Sequence, residues 1–442
     1  MKNSKFISVI LILTFSISIC ANILTGCQRG NDEFCTVMRF SVASDVHIED
    51  DERSAVEEAR LKKLFELAYA HAESTPDGYH NLDAALFVGD FTNYGTTPSM
   101  QKFKKIAEEN KREETKLVVS LGNHEFYADG ETAEERYKQV FSTELDEHFT
   151  ICGFHFIKLS ASGEYFSEEK LSWLRRELES ASKASPRRPI FVMQHQHPRG
   201  TVYGSGAWGD DKIYEVLSDF PQVVDFSGHS HFPIIDERSL WQGEFTAIGT
   251  GTLSYAELGL NGVADEFLFP IGNEGDYEYM ERSGARDYGV FQIVEVAKSG
   301  ALRITGYDID SGSRLFVRSV ENPSNKLSFK TNEEKANDTP IPVFKEGSAA
   351  RAVTEEDGSV TVIVPQAISE ASIESYRAEI YDGDIKINTC YALSGYIHTP
   401  MPSEIKIRLG MMESGKIYTV KIFAVNAYGR SSKQPLTLEI TK

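Results

Sequence analysis

Gly228-His229-Ser230-His231 follows the apolar run Val223-Val224-Asp225-Phe226. A short apolar run of this kind reads as a buried strand. Two histidines one residue apart, just past a strand end, lie on nearly the same side of the chain. They can therefore serve two different metal ions. A lone His-x-His pair is more often structural than catalytic, so its weight depends on how the other strands end.

Four others end in a similar way. Phe40-Ser41-Val42-Ala43-Ser44 runs into Asp45-Val46-His47. Ala85-Leu86-Phe87-Val88 runs into Gly89-Asp90. Leu117-Val118-Val119-Ser120 leads to Gly122-Asn123-His124-Glu125. Ile190-Phe191-Val192-Met193 leads through Gln194 to His195-Gln196-His197. In α/β sheets, ligands collect outside the carboxyl ends of the strands. Each residue alone has an ordinary reading: Asp45 and His47 as a loop turn, Asp90 as a helix cap, Asn123 as a turn residue with positive φ. Five strand ends carrying metal-competent side chains together predict one metal-binding edge. The fourth stretch is ambiguous. His195 lies closer to the strand end, whereas His197 abuts Pro198, so His195 is the preferred ligand.

The ordered set D-x-H, G-D, G-N-H-E, H and G-H-x-H resembles the calcineurin-like metallophosphoesterase family, over residues 36–320. The resemblance implies a four-layer α/β/β/α sandwich and hydrolysis of phosphate esters. That chemistry needs charge neutralised on the phosphoryl oxygens and a hydroxide available near neutral pH, which two metal ions roughly 3.5–4 Å apart supply. By match to the family's G-D motif, Asp90 bridges the metals. One metal would then take Asp45, His47, Asp90 and His231; the other would take Asp90, Asn123, His195 and His229. The mixed oxygen and nitrogen set suits Mn, Fe, Zn or Co and has no thiolate to make it zinc-specific. In the family pattern the His of G-N-H-E is not a primary ligand. His124 is thus expected to protonate the leaving oxygen or stabilise the phosphoryl group, which suits a side chain that titrates near working pH.

Departures from relatives narrow the substrate. The phosphoprotein phosphatase branch carries G-D-x-H-G at its first motif and an Arg shortly after its second. Here the chain reads Ser44-Asp45-Val46-His47-Ile48 and Gly89-Asp90-Phe91-Thr92-Asn93-Tyr94. A Ser/Thr protein phosphatase is therefore not expected. The G-H-S-H ending and the helix containing Trp173 are more similar to bacterial phosphodiesterases and acid-sphingomyelinase-like enzymes.

The bulk properties set wider bounds. At 442 residues, two or more domains are expected. A net charge of −20 argues against non-specific nucleic-acid binding, which needs a basic surface. It also repels anionic substrates at long range, leaving attraction to the metal ions at short range. Lys2 and Lys5 precede a stretch over residues 6–24 rich in Ile, Leu, Phe and Val, which reads as a secretory signal. Leu24-Thr25-Gly26-Cys27 resembles a bacterial lipobox, so residues 1–26 are read as a lipoprotein signal peptide. Cys27 is then the lipidated first residue, and 27–35 a tether to the bacterial membrane or cell surface. Cys35, Cys152 and Cys390 remain, an odd number with no close spacing, so no disulfide framework is legible.

Along residues 36–320 the pattern of strand, ligand loop and helix repeats. Leu61, Leu64, Phe65 and Ala68 fall at helical spacing, residues 97–111 are a charged helical stretch, and residues 150–159, interrupted by Gly153, read as a strand pair. Ser167 caps a helix whose Leu171, Leu174 and Leu178 share a face. Residues 288–296 and 301–310 alternate as closing strands. Two loops are candidates for specificity. Residues 200–211 bracket Tyr203 and Trp208 with glycines, suggesting mobile aromatic contacts to substrate, or a plain surface loop. Residues 258–289 are acidic and aperiodic, a lid or an insertion. Residues 321–340 read as a linker.

From residue 341 to 442 the chain reads as an all-β sandwich, with alternation at Val360, Val362 and Val364 and again at Tyr418, Val420, Ile422 and Ala424. Gly415, Tyr418 and the run Ala424-Val425-Asn426-Ala427-Tyr428-Gly429-Arg430-Ser431 resemble a fibronectin type III domain, a spacer or binding module. The expected protein is an exported, lipid-anchored phosphoesterase. It would cleave phosphodiester or phosphomonoester bonds of extracellular nucleotides, phospholipid headgroups or wall polymers with a metal-bound hydroxide. The alternative is a non-catalytic cell-surface binding protein that keeps the fold.

Overall fold

The computed structural model describes residues 34–163, 165–258 and 288–442. The leader, Cys27 and nearly all of the 258–289 stretch lie outside the described residues. Among those described, no helix is long and apolar enough to cross a membrane.

In chain order the first strands are β1 (Thr36–Ala43), β2 (Ala84–Val88), β3 (Lys116–Ser120), β4 (Glu147–Ile151) and β5 (Phe154–Lys158). They are followed by β6 (Ile190–Met193), two-residue β7 (His197–Pro198) and β8 (Gly209–Asp210), β9 (Val223–Ser227), β10 (Leu240–Gln242) and β11 (Thr246–Gly249). Three more close this part: β12 (Val290–Ala297), β13 (Leu302–Asp308) and β14 (Arg314–Val320). One six-stranded sheet has the order β14-β13-β12-β1-β2-β3, the other β10-β11-β9-β6-β5-β4. β1, β2 and β3 run parallel, as do β5, β6, β9 and β11.

The period-two alternation of the strands assigns the layers. Met38, Phe40 and Val42 of β1, Leu86 and Val88 of β2, and Val224 and Phe226 of β9 meet between the sheets. Phe40 lies at the centre, edge-on to Phe156, Phe191 and Phe226 at 5.5, 5.4 and 5.6 Å between ring centroids. The intervening residues Ala43, Ala85 and Phe87 face outward, under helices α1 (Ala55–Ser74), α2 (Thr97–Asn110) and α3 (Ala133–Phe141). Helices α4 (Glu168–Ala184), short α5 (Ser205–Trp208) and α6 (Asp211–Leu217) follow, and α4 and α6 cover the second sheet through Leu174, Leu178, Ile213 and Leu217. The helix starts are locally encoded: Thr96 and Ser167 accept the N–H groups of Ser99 and Lys170. The result is the α/β/β/α sandwich. Its parallel strands deliver their carboxyl ends, and the loops beyond them, to one edge.

The stretch 321–340, expected to be a linker, is folded. Helix α7 (Asn332–Asp338) begins with a capping box between Thr331 and Glu334. It is anchored by Lys335 Nζ on the Leu240 carbonyl at 2.8 Å. None of its residues is buried, so no apolar stripe announces it in the sequence. Beyond it lie β15 (Arg351–Thr354), β16 (Val360–Pro365), β17 (Ile373–Asp382), β18 (Ile385–Leu393), β19 (Glu404–Gly410), β20 (Ile417–Asn426) and β21 (Leu436–Thr441). They form an all-β region of two sheets, β15-β16-β19 and β18-β17-β20-β21, closed over a core of Val362, Tyr376, Ile407 and Ile422. This region is seated on the first: Tyr396 and Ile397 pack with Ile234, Tyr288 and Val290 in one buried cluster. Cys390 is a buried free thiol, and Cys152 Sγ lies 3.9 Å from the Tyr79 hydroxyl.

Candidate metal centre

Five loops meet at the carboxyl edge of the two sheets. The loops after β1 and β2 are laced together by their backbones: Asp45 N–H donates to the Gly89 carbonyl at 3.2 Å, and Val46 and His47 donate to the Asp90 carbonyl at 2.8 and 3.1 Å. Asp45, His47, Asp90, His229 and His231 all have φ between 49 and 71°. Non-glycine residues held in this region cost roughly 1–3 kcal/mol each and persist where the surroundings over-determine them. Here each left-handed residue turns a strand end back so that its side chain joins the others. Gly89, with φ +87°, is pressed so closely on the His195 ring that a Cβ would overlap it.

The side chains converge in overlapping sets. Ligand atoms of Asp45, His47 and His231 all lie within 4.8 Å of one another, and so do those of Asp90, His195 and His229 and those of His47, Asp90 and His124. His231 Nε2 is 3.1 Å from Asp45 Oδ1 and 3.1 Å from His47 Nε2. His195 Nε2 is 3.0 Å from Asp90 Oδ2. The ring orientations are set from behind. His195 and His231 donate Nδ1–H to the carbonyls of Val88 and Tyr255 at 2.8 and 2.9 Å, which leaves each Nε2 facing the centre. Asn123 donates Nδ2–H to Tyr127 at 2.9 Å, and its Oδ1 is buried with no hydrogen-bond partner.

His197 is differently placed. Its Nδ1 is 2.8 Å from Ser227 Oγ and its Nε2 2.7 Å from Ser230 Oγ, so both nitrogens are committed to hydroxyls. It ties together the two ends of the Gly228–His229 turn.

The electrostatics suit dications. Burial alone would raise the Asp45 and Asp90 carboxyls, but His231 beside Asp45 and His195 beside Asp90 hold both below the usual carboxylate range. Burial, reinforced by neighbouring histidines, pushes His47 down to about 3 and His229 to about 4. Two ionised carboxylates and four imidazoles meet in overlapping sets, and His195 Nε2 and Asn123 Oδ1 are buried without a protein hydrogen-bond partner. The oxygen and nitrogen donors fit two divalent ions of the Mn, Fe, Zn or Co type.

Several supporting residues escaped the sequence reading. Glu125 is fully buried and accepts from the Asp90 N–H at 3.0 Å, the Thr92 N–H and Oγ–H at 2.9 Å each, and the Gly122 N–H at 2.7 Å. It knots the second and third ligand loops. Burial and the Asp90 charge push its carboxyl up to about 8. Its place in Gly122-Asn123-His124-Glu125 was the available signal. Ser44, hydrogen-bonded to Asp45, to Thr250 at 2.6 Å and to the Gly251 carbonyl at 3.0 Å, had no such signal.

His124 stands at the solvent side. Its Nδ1–H donates to the Asn93 carbonyl at 2.9 Å, its Nε2 is 3.9 Å from Asp90 Oδ2, and its ring stands edge-on to His47 at 4.5 Å. Beside His47 opens a cavity of about 490 Å³ lined by Glu49, Arg53, Glu57, Asn93 and Tyr255. On the opposite flank Trp208, 37% exposed, meets the His229 ring edge-on at 5.5 Å. Tyr203 is not a mobile substrate contact. It is 4% exposed, packs on Phe232 at 4.3 Å, and bonds through its hydroxyl to Glu374 of β17 at 3.0 Å. Partners 29 and 171 residues away bury it, which its flanking glycines could not indicate.

Residues 38–233 match the model of the calcineurin-like phosphoesterase family. No curated protein matches the chain. Among solved structures, a purple acid phosphatase, PPD1, from yellow lupin (Lupinus luteus) seeds is 14% identical with a TM-score of 0.44, over 67% of this chain and 56% of its own. The structure of PhoD is 12% identical with a TM-score of 0.38, over 66% of this chain and 73% of its own. The chain thus spans little more than half the length of the lupin protein.

Proposed function

We propose that this chain, whose residues 38–233 form a metal-dependent phosphoesterase domain of the calcineurin-like kind, is exported and lipid-anchored through Cys27. It hydrolyses phosphodiester or phosphomonoester bonds of extracellular nucleotides, phospholipid headgroups or wall polymers. The observation that carries the reading is the convergence of Asp45, His47, Asp90, His195, His229 and His231 at one edge of the sandwich. Asn123 Oδ1, on the third ligand loop, is buried without a protein partner.

In this reading Asp45, His47, Asp90 and His231 hold one metal, and Asp90, Asn123, His195 and His229 the other. Two bound dications neutralise the phosphoryl oxygens and lower the pKa of a water molecule. Asp90 would be shared between the two ions; its Oδ1 accepts the His124 N–H at 2.9 Å and its Oδ2 lies 3.0 Å from His195 Nε2. His195 and His231 are kept in the Nδ1–H tautomer by backbone carbonyls and present Nε2. His124, likewise oriented through Nδ1–H, presents Nε2 to the phosphoryl group or the leaving oxygen and, as the imidazolium, gives its Nε2 proton there, leaving the neutral Nδ1–H ring. Trp208 contacts the ester group on the His229 flank. The strongly acidic chain repels anions at a distance, so capture depends on this positively charged centre.

The region 341–442 is read as a fibronectin type III-like module. Its two sheets and the Glu413 N–H donating back to the Tyr418 hydroxyl at 3.3 Å, a corner-like contact near the start of β20, support that reading.

The test uses intact protein stripped of metal and reloaded with Mn²⁺, with bis-p-nitrophenyl phosphate and p-nitrophenyl phosphate as substrates. Metal-dependent turnover that Asn123→Ala loses is expected, and the preferred ester sets the substrate class. Two bound metals with no turnover under Mn²⁺, Zn²⁺, Co²⁺ or Fe²⁺ would overturn it. Labelled palmitate incorporation, abolished by Cys27→Ser, tests the anchor.

A further inference from the structure

The all-β region meets the phosphoesterase domain through a buried carboxylate. Glu374, the second residue of β17, is 0% exposed. Its Oε1 accepts from the Tyr203 hydroxyl at 3.0 Å and from Arg238 Nη2 at 2.7 Å. The Arg238 guanidinium lies over the Tyr203 ring, 3.6 Å from its centroid, and grips Asp236 with Nε at 2.9 Å and Nη2 at 2.8 Å. A carboxylate placed this deep is tolerated only when its partners are fixed, so the group holds one arrangement.

Both partners belong to segments that reach the metal centre. Tyr203 packs on Phe232, the residue after His231. Gly204 is seated so tightly that a Cβ would lie 2.5 Å from the Phe232 ring and 2.7 Å from Ser230 Oγ. Ser230 stands between His229 and His231 and is bonded to His197. Four residues beyond Gly204, Trp208 faces the His229 ring. Arg238 closes the segment that leaves His231, and its carbonyl accepts the Tyr203 N–H at 3.2 Å.

We propose that Glu374 is a positioning residue for the metal centre: through Tyr203 and Arg238 it fixes the loop bearing Trp208 and the segment bearing His229 and His231. The all-β region is then a wall of the catalytic unit rather than a spacer. This inference rests on the reading of His229 and His231 as ligands.

Glu374→Ala in the intact chain leaves Arg238 paired with Asp236, so no buried cation is orphaned. Loss of a residue that orients ligands from behind typically costs about 10–100-fold in metal affinity. Mn²⁺ affinity is therefore expected to fall by about tenfold or more, and KM to rise more than kcat falls at saturating Mn²⁺. Trp208 emission, read in a Trp173→Phe, Trp241→Phe background, should become more accessible to quenching. Glu374→Gln, which keeps an acceptor for Tyr203 and Arg238, should restore most of the affinity. Arg430→Ala is the control: it cuts the bonds from the all-β region to the Ala336 and Thr339 carbonyls, away from the metal loops. Unchanged Mn²⁺ affinity and Trp208 emission in Glu374→Ala would overturn the proposal, as would an equal loss in Arg430→Ala. Should Glu374→Ala fail to fold, Tyr203→Phe, which removes one hydroxyl, decides by the same criteria. Metal affinity and fluorescence need no turnover, so a wild-type protein without phosphoesterase activity would sink the functional reading and still leave this one tested.

Discussion

The metal centre and the seam around Glu374 are built from the same residue types, buried carboxylates with cationic or hydroxyl partners, yet they are held in opposite ways. At the metal centre five of the seven proposed ligands are aimed by their own backbones. Asp45, His47, Asp90, His229 and His231 are all left-handed, and a glycine precedes Asp90 and His229. At the seam Glu374 sits at a β-bulge near the start of β17 and Arg238 within a single 3₁₀ turn, and the two are joined across 136 residues of sequence. One site stores its geometry in the turn, the other in the docking of two regions. Damage to the first should therefore be local and severe, and damage to the second graded and transmitted.

The sharpest test of that contrast is Asp90→Ala. Residues that hold a metal's ligands in place typically cost about 10–100-fold when lost, so loss of Asp90, the proposed shared ligand, is expected to cost more and to lower metal stoichiometry from two. Metal analysis after gel filtration, run beside the rate assay, checks it. Full stoichiometry in Asp90→Ala would mean that Asp90 is not shared between two metals.

His124→Ala separates chemistry from metal holding within the same cluster. General acid–base groups typically contribute about 10²–10⁴-fold. A kcat loss in that range with both metals retained is expected. If metal is lost as completely as in Asp90→Ala, His124 is a ligand, and the left-handed turns alone do not define the metal-holding set.

Gly89→Ala probes the backbone directly. It leaves every donor in place but puts a Cβ into the His195 ring at a residue with φ +87°. Strain of roughly 1–3 kcal/mol is expected in thermal unfolding, together with weaker metal binding as the His195 ring is displaced. A variant with lower stability and unaltered metal affinity would mean that His195 adapts, and that the turn is less decisive than its partners.

This contrast also accounts for what could be read in advance. The five strand ends are legible because the apolar run, the glycine and the ligand lie within a few residues of one another, and the period-two alternation of Phe40, Val42, Leu86 and Val88 assigns the layers. His195 and His197 are two residues apart and equally suited to a metal by type. Distance from the strand end favours His195, whose Nε2 faces Asp90, while serines on both sides of His197 engage its ring nitrogens. Tyr203 and Glu374 carry no local mark, since neither means anything until two regions dock. Helix α7 is polar all round and depends on its cap and on Lys335 reaching Leu240, so it reads as a linker.

Asp225 belongs to neither regime, and it yields the smallest expected effect on activity. It interrupts the apolar run of β9 as a charged residue at 0% exposure, and its partners are Gln194 Nε2 at 3.1 and 3.2 Å and Ser227. Burial pushes its carboxyl up to about 7 from 3.8, against those hydrogen bonds. The folded state therefore keeps a proton that the unfolded chain releases between about pH 4 and 7. With more protons bound when folded, stability falls as pH rises through that window and levels off above it, at about 1.4 kcal/mol per unit of separation. Asp225→Asn cannot ionise. It should match wild type near pH 4 and exceed it in melting temperature at pH 8, with turnover at neutral pH unchanged. Parallel melting curves from pH 4 to 8 decide the matter. If the two proteins lose stability together, Asp225 is ionised in the fold and the Gln194 amide is a sufficient partner. If turnover falls with the substitution, the strand beneath His229 and His231 is a third means by which the metal centre is held.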